Sequence, residues 1–164
     1  MDYGRFRHNP ERRGGEPSDS RVWPANFVSR GTGMTTEIAL SDIPGGRELI
    51  DWFGYVPRFH DANLLGINLV SDGPSSLRIH AFRITKEVDD RGYYVLDKHV
   101  VVTVTLEAVI QVGLSDFNLP GIIFELSFST AEDDIQLAWT GSYGVEGTIR
   151  AKQARIDLIP GKPV

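Results

Sequence analysis

The 164-residue chain carries a net charge of −5 and 41% hydrophobic residues, which suits one globular domain with its own apolar core. It contains no cysteine, so disulfide bonds, thiolate catalysis and cysteine-ligated zinc are excluded. No apolar run approaches the roughly 20 residues that a membrane-spanning helix needs, and the N-terminus lacks a secretory pattern. We therefore expect a cytoplasmic protein.

Charge and composition divide the chain near residue 33. Residues 1–33 are rich in Arg, Gly, Pro, Asp and Ser and have a net charge of +2, whereas the remainder has −7. Because the first segment has few apolar residues to offset its ordering entropy, we predict a flexible extension at 1–33 and a single β-rich domain at 34–164. Alternatively, 1–33 lies upstream of a domain whose natural start is Met34. The acidic domain argues against nucleic-acid binding and suits either solubility or a basic protein partner.

One short helix is predicted at the start of the domain. The segment 41–44 has the polar residues and the proline of a helix start, and Gly54 is a suitable stop. Apolar side chains crowd one side between Leu49 and Phe53. Because so short a helix is marginal alone, we expect its apolar side to pack on a larger element.

After the helix, apolar and polar residues alternate with period two, which is typical of β-strands with one solvated face. A slip in the alternation at Ala81-Phe82 predicts a β-bulge, and Phe124, Leu126 and Phe128 are expected to share one apolar face. The predicted strands lie near residues 65–69, 77–84, 99–106, 124–129, 135–139, 145–149 and 154–159. Turns separate them and no helices alternate with them. The sequence therefore predicts a mainly β fold, an antiparallel β-sandwich or barrel with one peripheral helix.

His60 and Asp61 are the neighbouring residues most typical of acid–base chemistry. Adjacent side chains of an extended chain point to opposite faces, so we expect no His–Asp dyad from sequence neighbours alone. His60 would act as a base only if a partner arrived from elsewhere. In the structural interpretation, His60 hydrogen-bonds the turn before the next strand and Asp61 accepts backbone N–H groups.

The other polar clusters indicate no cofactor and no metal. His8, His80 and His99 are scattered and lack the spacing of converging ligands. The acidic run 132–134 lacks the spaced oxygens of a calcium loop and fits a solvated turn. The glycine-rich segment around Tyr143 lies between predicted strands rather than at a helix N-terminus, so we predict a hairpin turn with Tyr143 packing across the sheet.

Trp52, Phe53, Tyr55 and Phe59 concentrate aromatic side chains beside the predicted helix. Aromatic residues dominate core burial, so packing of the helix on the sheet is the main interpretation. The alternative is an exposed aromatic patch that contacts a partner.

The segment 52–62, with a Pro-x-Phe-His-Asp-Ala motif at 57–62, resembles the immunity protein 50 family of bacterial polymorphic toxin systems. The Ser-Tyr-Gly-Val-Glu-Gly segment at 142–147 is similar to a glycine-rich segment near the end of those domains. The resemblance covers about residues 43 to 159. It implies a small β-rich domain that binds and blocks a cognate toxin without turnover and without a catalytic residue. The motif or interface residues would then be Trp52, Tyr55, Phe59, His60, Asp61, Tyr143 and Glu146.

Three functions are left open by the sequence. The first is a non-catalytic binding protein of the immunity type, and the second is a β-barrel that holds a small apolar ligand. The third is an enzyme built on His60 with Asp61 or Glu146 in one cleft. We rank them in that order and expect no enzyme activity. An exposed strand edge also allows a homodimer.

Overall fold

The computed structural model describes residues 35–118 and 121–164. The extension predicted at 1–33 lies outside the described residues. The elements in chain order are β1 (Thr36–Glu37), a 3-10 turn (Leu40–Asp42), α1 (Gly46–Phe53), β2 (Asn63–Asn68), β3 (Ser75–Val88), β4 (Tyr94–Ser115), β5 (Gly121–Ala131), β6 (Asp134–Tyr143) and β7 (Glu146–Pro160).

The strands form a single antiparallel sheet in the order β1-β5-β2-β3-β4-β7-β6. Because β5 also pairs with β6, the sheet closes into a ring, although not a regular barrel. The predicted mainly β class, with antiparallel pairing and one short helix, is confirmed. None of the helices among the described residues is long and apolar enough to cross a membrane.

The strands β4 and β7 are much longer than predicted, at 22 and 15 residues. The prediction of separate strands at 145–149 and 154–159 is wrong, because β7 runs through both segments. The alternation shifts phase there because Ala151 and Ala154, three residues apart, are both buried. β4 makes the same shift between the buried Leu106 and the part-buried Val109, with Ala108 at φ 51°. The paired strands thus turn opposite faces to the core in their two halves.

One continuous cluster of buried side chains forms the core. The fully buried members come from all the long strands and from the helix. They include Leu49, Leu77, Ile79, Val100, Val102, Val104, Leu106, Ile123, Leu137 and Ile149.

Bulges set the side-chain directions of several strands. A register shift does lie at the predicted position, between Ala81 and Arg83, but the extra residue belongs to the partner strand β4 and not to β3. The prediction that Phe124 shares a face with Leu126 and Phe128 is wrong. The register against β6 shifts across Phe124, so its side chain leaves the core side and is 52% exposed.

The helix begins later than predicted. The segment 41–44 contributes to the 3-10 turn, and α1 starts only at Gly46. Gly45 has φ 84°, and a Cβ there would lie 1.8 Å from the Ile156 carbonyl oxygen; a Cβ at Gly46 would lie 1.8 Å from the Leu40 carbonyl oxygen. The backbone therefore passes too close to β7 and to the 3-10 turn for any side chain. The predicted end is confirmed, since Gly54 has φ 80° and its N–H bonds the Ile50 carbonyl.

Gly46→Ala should destabilise the protein by about 3 kcal/mol, because the new methyl group collides with backbone that has no room to retreat. The matched control is Gly66→Ala in β2, where a Cβ would meet nothing within 4 Å. Urea unfolding of both variants measures the difference. Equal stability of the two variants would contradict the close approach described above.

Candidate functional site

A groove lies where two short strands share one edge of β5. On this edge β2 pairs with β5 at Gly121 and Ile122, and β1 pairs with it at Ser129 and Thr130. Backbone hydrogen bonds extend these pairings to Ile123 and Phe128. Between Ile123 and Phe128, this edge of β5 has no partner strand among the described residues. We call this the β5-edge groove.

Leu126 supplies the free backbone groups of the β5-edge groove. The Phe128 carbonyl accepts a bond from the Ile38 N–H on this edge. β5 pairs regularly with β6 from Glu125 to Ala131, so successive residues direct their N–H and C=O groups to alternate edges. The N–H and C=O of Leu126, two residues before Phe128, therefore point into the groove. Unpaired strand groups of this kind are a template for another strand.

The groove has a volume of about 570 Å³ and walls of mixed character. One wall is the chain from Glu37 to Ser41, and the other is the loop after α1 with Val56, Pro57 and Phe59. Arg58, His60 and Glu125 bring charge and hydrogen-bonding groups to its rim. The arrangement offers a partly apolar groove beside the open edge of β5.

His60 and Asp61 meet, contrary to the expectation from an extended chain. His60 Nδ1 lies 2.9 Å from Asp61 Oδ2. Phe59 has φ 57° and Asp61 has φ 66°, so the chain turns at this point and brings adjacent side chains together. The turn is held because the Asp61 N–H bonds the Ile123 carbonyl and the Ala62 N–H bonds the Phe59 carbonyl.

The His60 ring is presented at the rim of the groove rather than inside it. Its side chain is about half exposed, at 53%, and its ring packs edge-on against Phe124 at a centroid distance of 5.1 Å. Phe124 was not identified as a site residue from the sequence, because the alternation predicted it in the core. The bulge in β5 at this position interrupts that alternation. Together the two rings form an exposed aromatic ridge along the β5-edge groove.

Trp52 connects the helix α1 to the strand β4 by hydrogen bonds. Its indole N–H donates to the Lys98 carbonyl at 3.1 Å, and the Lys98 ammonium donates back to the carbonyls of Trp52 at 2.7 Å and Phe53 at 3.4 Å. These carbonyls are unpaired acceptors at the helix C-terminus, where the macrodipole also favours a cation. Lys98 holds this position from the β4 bulge, with φ 47°.

Of the other aromatic residues singled out in the sequence, some are buried and some are exposed. Phe53 and Phe59 are core residues, as the packing interpretation predicted, whereas Tyr55 is exposed next to Phe53. Tyr143 is also exposed, so the prediction that it packs across the sheet is wrong. It lies at the end of β6, where a register irregularity opposite Ile122 turns it outward.

Glu146 does not join His60. Its carboxylate accepts the Gly141 N–H at 3.2 Å and thereby stabilises the turn between β6 and β7. It lines a separate surface cavity of about 450 Å³ with small side chains such as Ala138 and Thr148. The structure thus brings His60 and Asp61 together and leaves Glu146 with a structural bond.

A pair of neighbouring histidines lies on β3 and β4. His80 Nε2 is 3.0 Å from His99 Nδ1, and Phe82 packs against both rings. Burial, then the charge of His99, then that of Lys162 lower the pKa of His80 to about 4. Burial and Lys162 also lower the pKa of His99, against the opposing effect of Asp97. Both rings are therefore neutral at pH 7, and one shared N–H joins them.

Metal ligation by this pair would need further ligands. In the described part of the chain, no group of three or more His, Asp or Glu side chains is placed to hold a metal ion. The His80 Nδ1 atom is buried and has no hydrogen-bond partner. We interpret the pair as a neutral packing unit that links β3 to β4.

Protonation of His80 is expected to destabilise the fold. Its folded pKa of about 4 is below the ordinary value of 6.5, so the unfolded chain binds the proton more tightly. Its contribution to stability is complete above pH 6.5 and is lost as the pH falls toward 4. His80→Gln should flatten the slope of unfolding free energy against pH in this window, by up to about 1.4 kcal/mol per pH unit, which is the slope that one differentially bound proton contributes. The exposed His60→Gln is the control, and an equal change of slope in both variants would contradict the assignment.

The comparisons with known proteins identify no relative. No family model, no curated protein and no solved structure matches the chain. The resemblance to the immunity protein 50 family therefore stays a prediction from the two short motifs at 57–62 and 142–147.

Proposed function

We propose that this protein is a non-catalytic binding protein that neutralises a cognate protein toxin by stoichiometric binding. The β5-edge groove and the ridge of His60 and Phe124 are the contact surface in this proposal. The single observation that carries it is the free backbone edge at Leu126, because a strand edge in a groove is a recurrent means of binding an extended protein segment.

The groove suits a short extended segment of a partner. The gap between Ile123 and Phe128 leaves room for only a few residues, which would bond the N–H and C=O of Leu126. Side chains of the partner would alternate between the groove and the ridge, where Phe124 and His60 offer an amphipathic surface of the type enriched in interface hot spots. The backbone bonds would give affinity, and the ridge would give specificity.

The charge of the domain supports a basic partner. Residues 34–164 carry a net charge of −7, and complementary charge speeds the encounter of two proteins more than it tightens the final complex. A toxin that acts on nucleic acid would have the basic surface that this domain attracts.

Two features favour binding over the other functions considered. Among the described residues, the His60 side chain contacts the Asp61 carboxylate and no hydroxyl nucleophile. A catalytic base needs a group to activate within hydrogen-bond distance. Buried side chains such as Leu77, Leu106 and Ile149 pack together in one continuous core cluster, which disfavours a carrier of an internal ligand.

The test uses the full chain and the protein encoded by the gene adjacent to its own. We expect that protein to arrest growth when expressed alone, and co-expression of this chain to restore growth through a 1:1 complex measured by calorimetry. Phe124→Ala should weaken the complex about 30-fold, as loss of a hot-spot side chain does. Phe117→Ala is the control, since Phe117 is also an exposed phenylalanine but lies outside the groove.

Three results would overturn the proposal. The first is a neighbouring gene product that does not harm cells. The second is protection at amounts of this chain far below those of the toxin, which would indicate turnover. The third is equal binding by the Phe124→Ala and Phe117→Ala variants.

A further inference from the structure

The strand β4 extends well beyond the strand that pairs with one of its sides. β3 accompanies β4 only to the pair Ser75–Leu106, whereas β7 accompanies it to Ser115. Residues 107–115, which we call the β4 free edge, thus have β7 on one side and no partner strand on the other within the described residues. Every second residue of this edge directs its N–H and C=O to the open side.

The β4 free edge exposes several large apolar side chains. Ile110, Val112 and Leu114 are exposed large hydrophobic residues, and Phe117 follows just after the strand. Val112 lies opposite the fully buried Ile149, so it belongs to the face that β7 turns to the core. The apolar face of the core therefore continues outward onto an edge strand.

Beyond Glu107 at its start, the edge carries none of the charged residues or prolines that usually protect such strands. Residues 108–115 include no Lys, Arg, Asp, Glu or Pro, whereas soluble β proteins place charges or prolines on their free edges. A register irregularity between Val109 and Gln111 leaves Ile110 without a partner residue on β7, and residues 111–115 pair regularly with β7. An edge of this composition is expected to be covered in the working protein.

We propose that the β4 free edge pairs antiparallel with the same edge of a second copy of this chain. A two-fold interface places one surface against itself, so it must avoid like charges. Residues 108–115 are uncharged, between Glu107 and Asp116, although the domain around them is strongly acidic. Ile110, Val112 and Leu114 recur at every second position, so the row matches itself when reversed. With the axis at Val112, Ile110 of one copy lies opposite Leu114 of the other, and the apolar side chains bury one another.

The proposal is independent of the toxin, and its test is the mass of the full chain in solution. Sedimentation equilibrium should give twice the 18.2 kDa of one chain, with a dissociation constant of about 1–10 µM, as for a modest interface. Val112→Lys should weaken the dimer at least about 30-fold, because a hydrated charge replaces a central apolar contact. Val88→Lys is the control, since Val88 is a β-strand valine of similar exposure, 44% against 38% for Val112.

Circular dichroism establishes that each variant is folded, and Ile110→Lys replaces Val112→Lys if the latter is not. A wild-type chain that stays monomeric at about 100 µM, above the expected dissociation constant, would overturn the proposal. It would also be overturned if the dimers of the Val112→Lys and Ile110→Lys variants were as stable as the dimer of the Val88→Lys variant. Slow amide exchange at residues 107–115 in a monomer would show that another part of the same chain covers the edge, and would also overturn it.

Discussion

The placement of α1 depends on one reciprocal contact between a helix and a β-bulge. Trp52 donates its indole N–H to the backbone of Lys98, and Lys98 donates its ammonium to the last carbonyls of the helix. Each side chain thus satisfies the backbone of the other element. A hydrogen bond that involves a charged group contributes about 1.5–3 kcal/mol, which is large for a helix of eight residues. Such a helix has little stability of its own.

The helix in turn positions the loop that forms one wall of the β5-edge groove. The chain leaves α1 at Gly54, beside the Lys98 contact, and reaches β5 through the bond between the Asp61 N–H and the Ile123 carbonyl. Between these anchors lie Val56, Phe59 and His60, which line the groove. The contact at Lys98 and the shape of the groove are therefore linked through a loop fixed at both ends.

Although the sheet closes into a ring, parts of β5 and β4 have no partner strand on one side, because the strands differ in length. β1 and β2 are too short to cover one edge of β5 together, which leaves Leu126 unpaired. β3 ends its pairing at Leu106, which leaves the rest of β4 open. One opening is a groove with an aromatic ridge and the other is an apolar edge, so they suit different partners.

The sequence predicted the parts of the fold that depend on local pattern. Alternation predicted the β class, and Gly54 predicted the helix end. The slip at Ala81-Phe82 predicted the position of a bulge but not that its extra residue lies on β4. It failed where the pattern is broken by tertiary geometry. The phase shift near Ala151 arises from a change of the core-facing side within one strand, and periodicity alone cannot distinguish this from a strand boundary.

Of the residues singled out in the sequence, Phe59 and His60 line the groove, whereas Phe124 and Leu126 were not predicted as site residues. His60 and Asp61 were singled out, yet their contact depends on the left-handed residues Phe59 and Asp61, a conformation rare for such residues. Phe124 had the spacing of a core residue and became exposed through a bulge. The groove itself comes from the pairing of distant segments, about which a single sequence carries no local information.

Hydrogen exchange in a Lys98→Met variant tests the central claim most directly. Methionine keeps the apolar stem of the side chain and removes the ammonium. If the Trp52–Lys98 contact holds the groove wall, the amides of Asp61 and Ala62 should exchange about tenfold faster, while amides in β6 and β7 keep their rates. The control is Lys86→Met, on an exposed position of β3. Unchanged exchange at Asp61 and Ala62, or an equal increase across the whole sheet, would contradict the account.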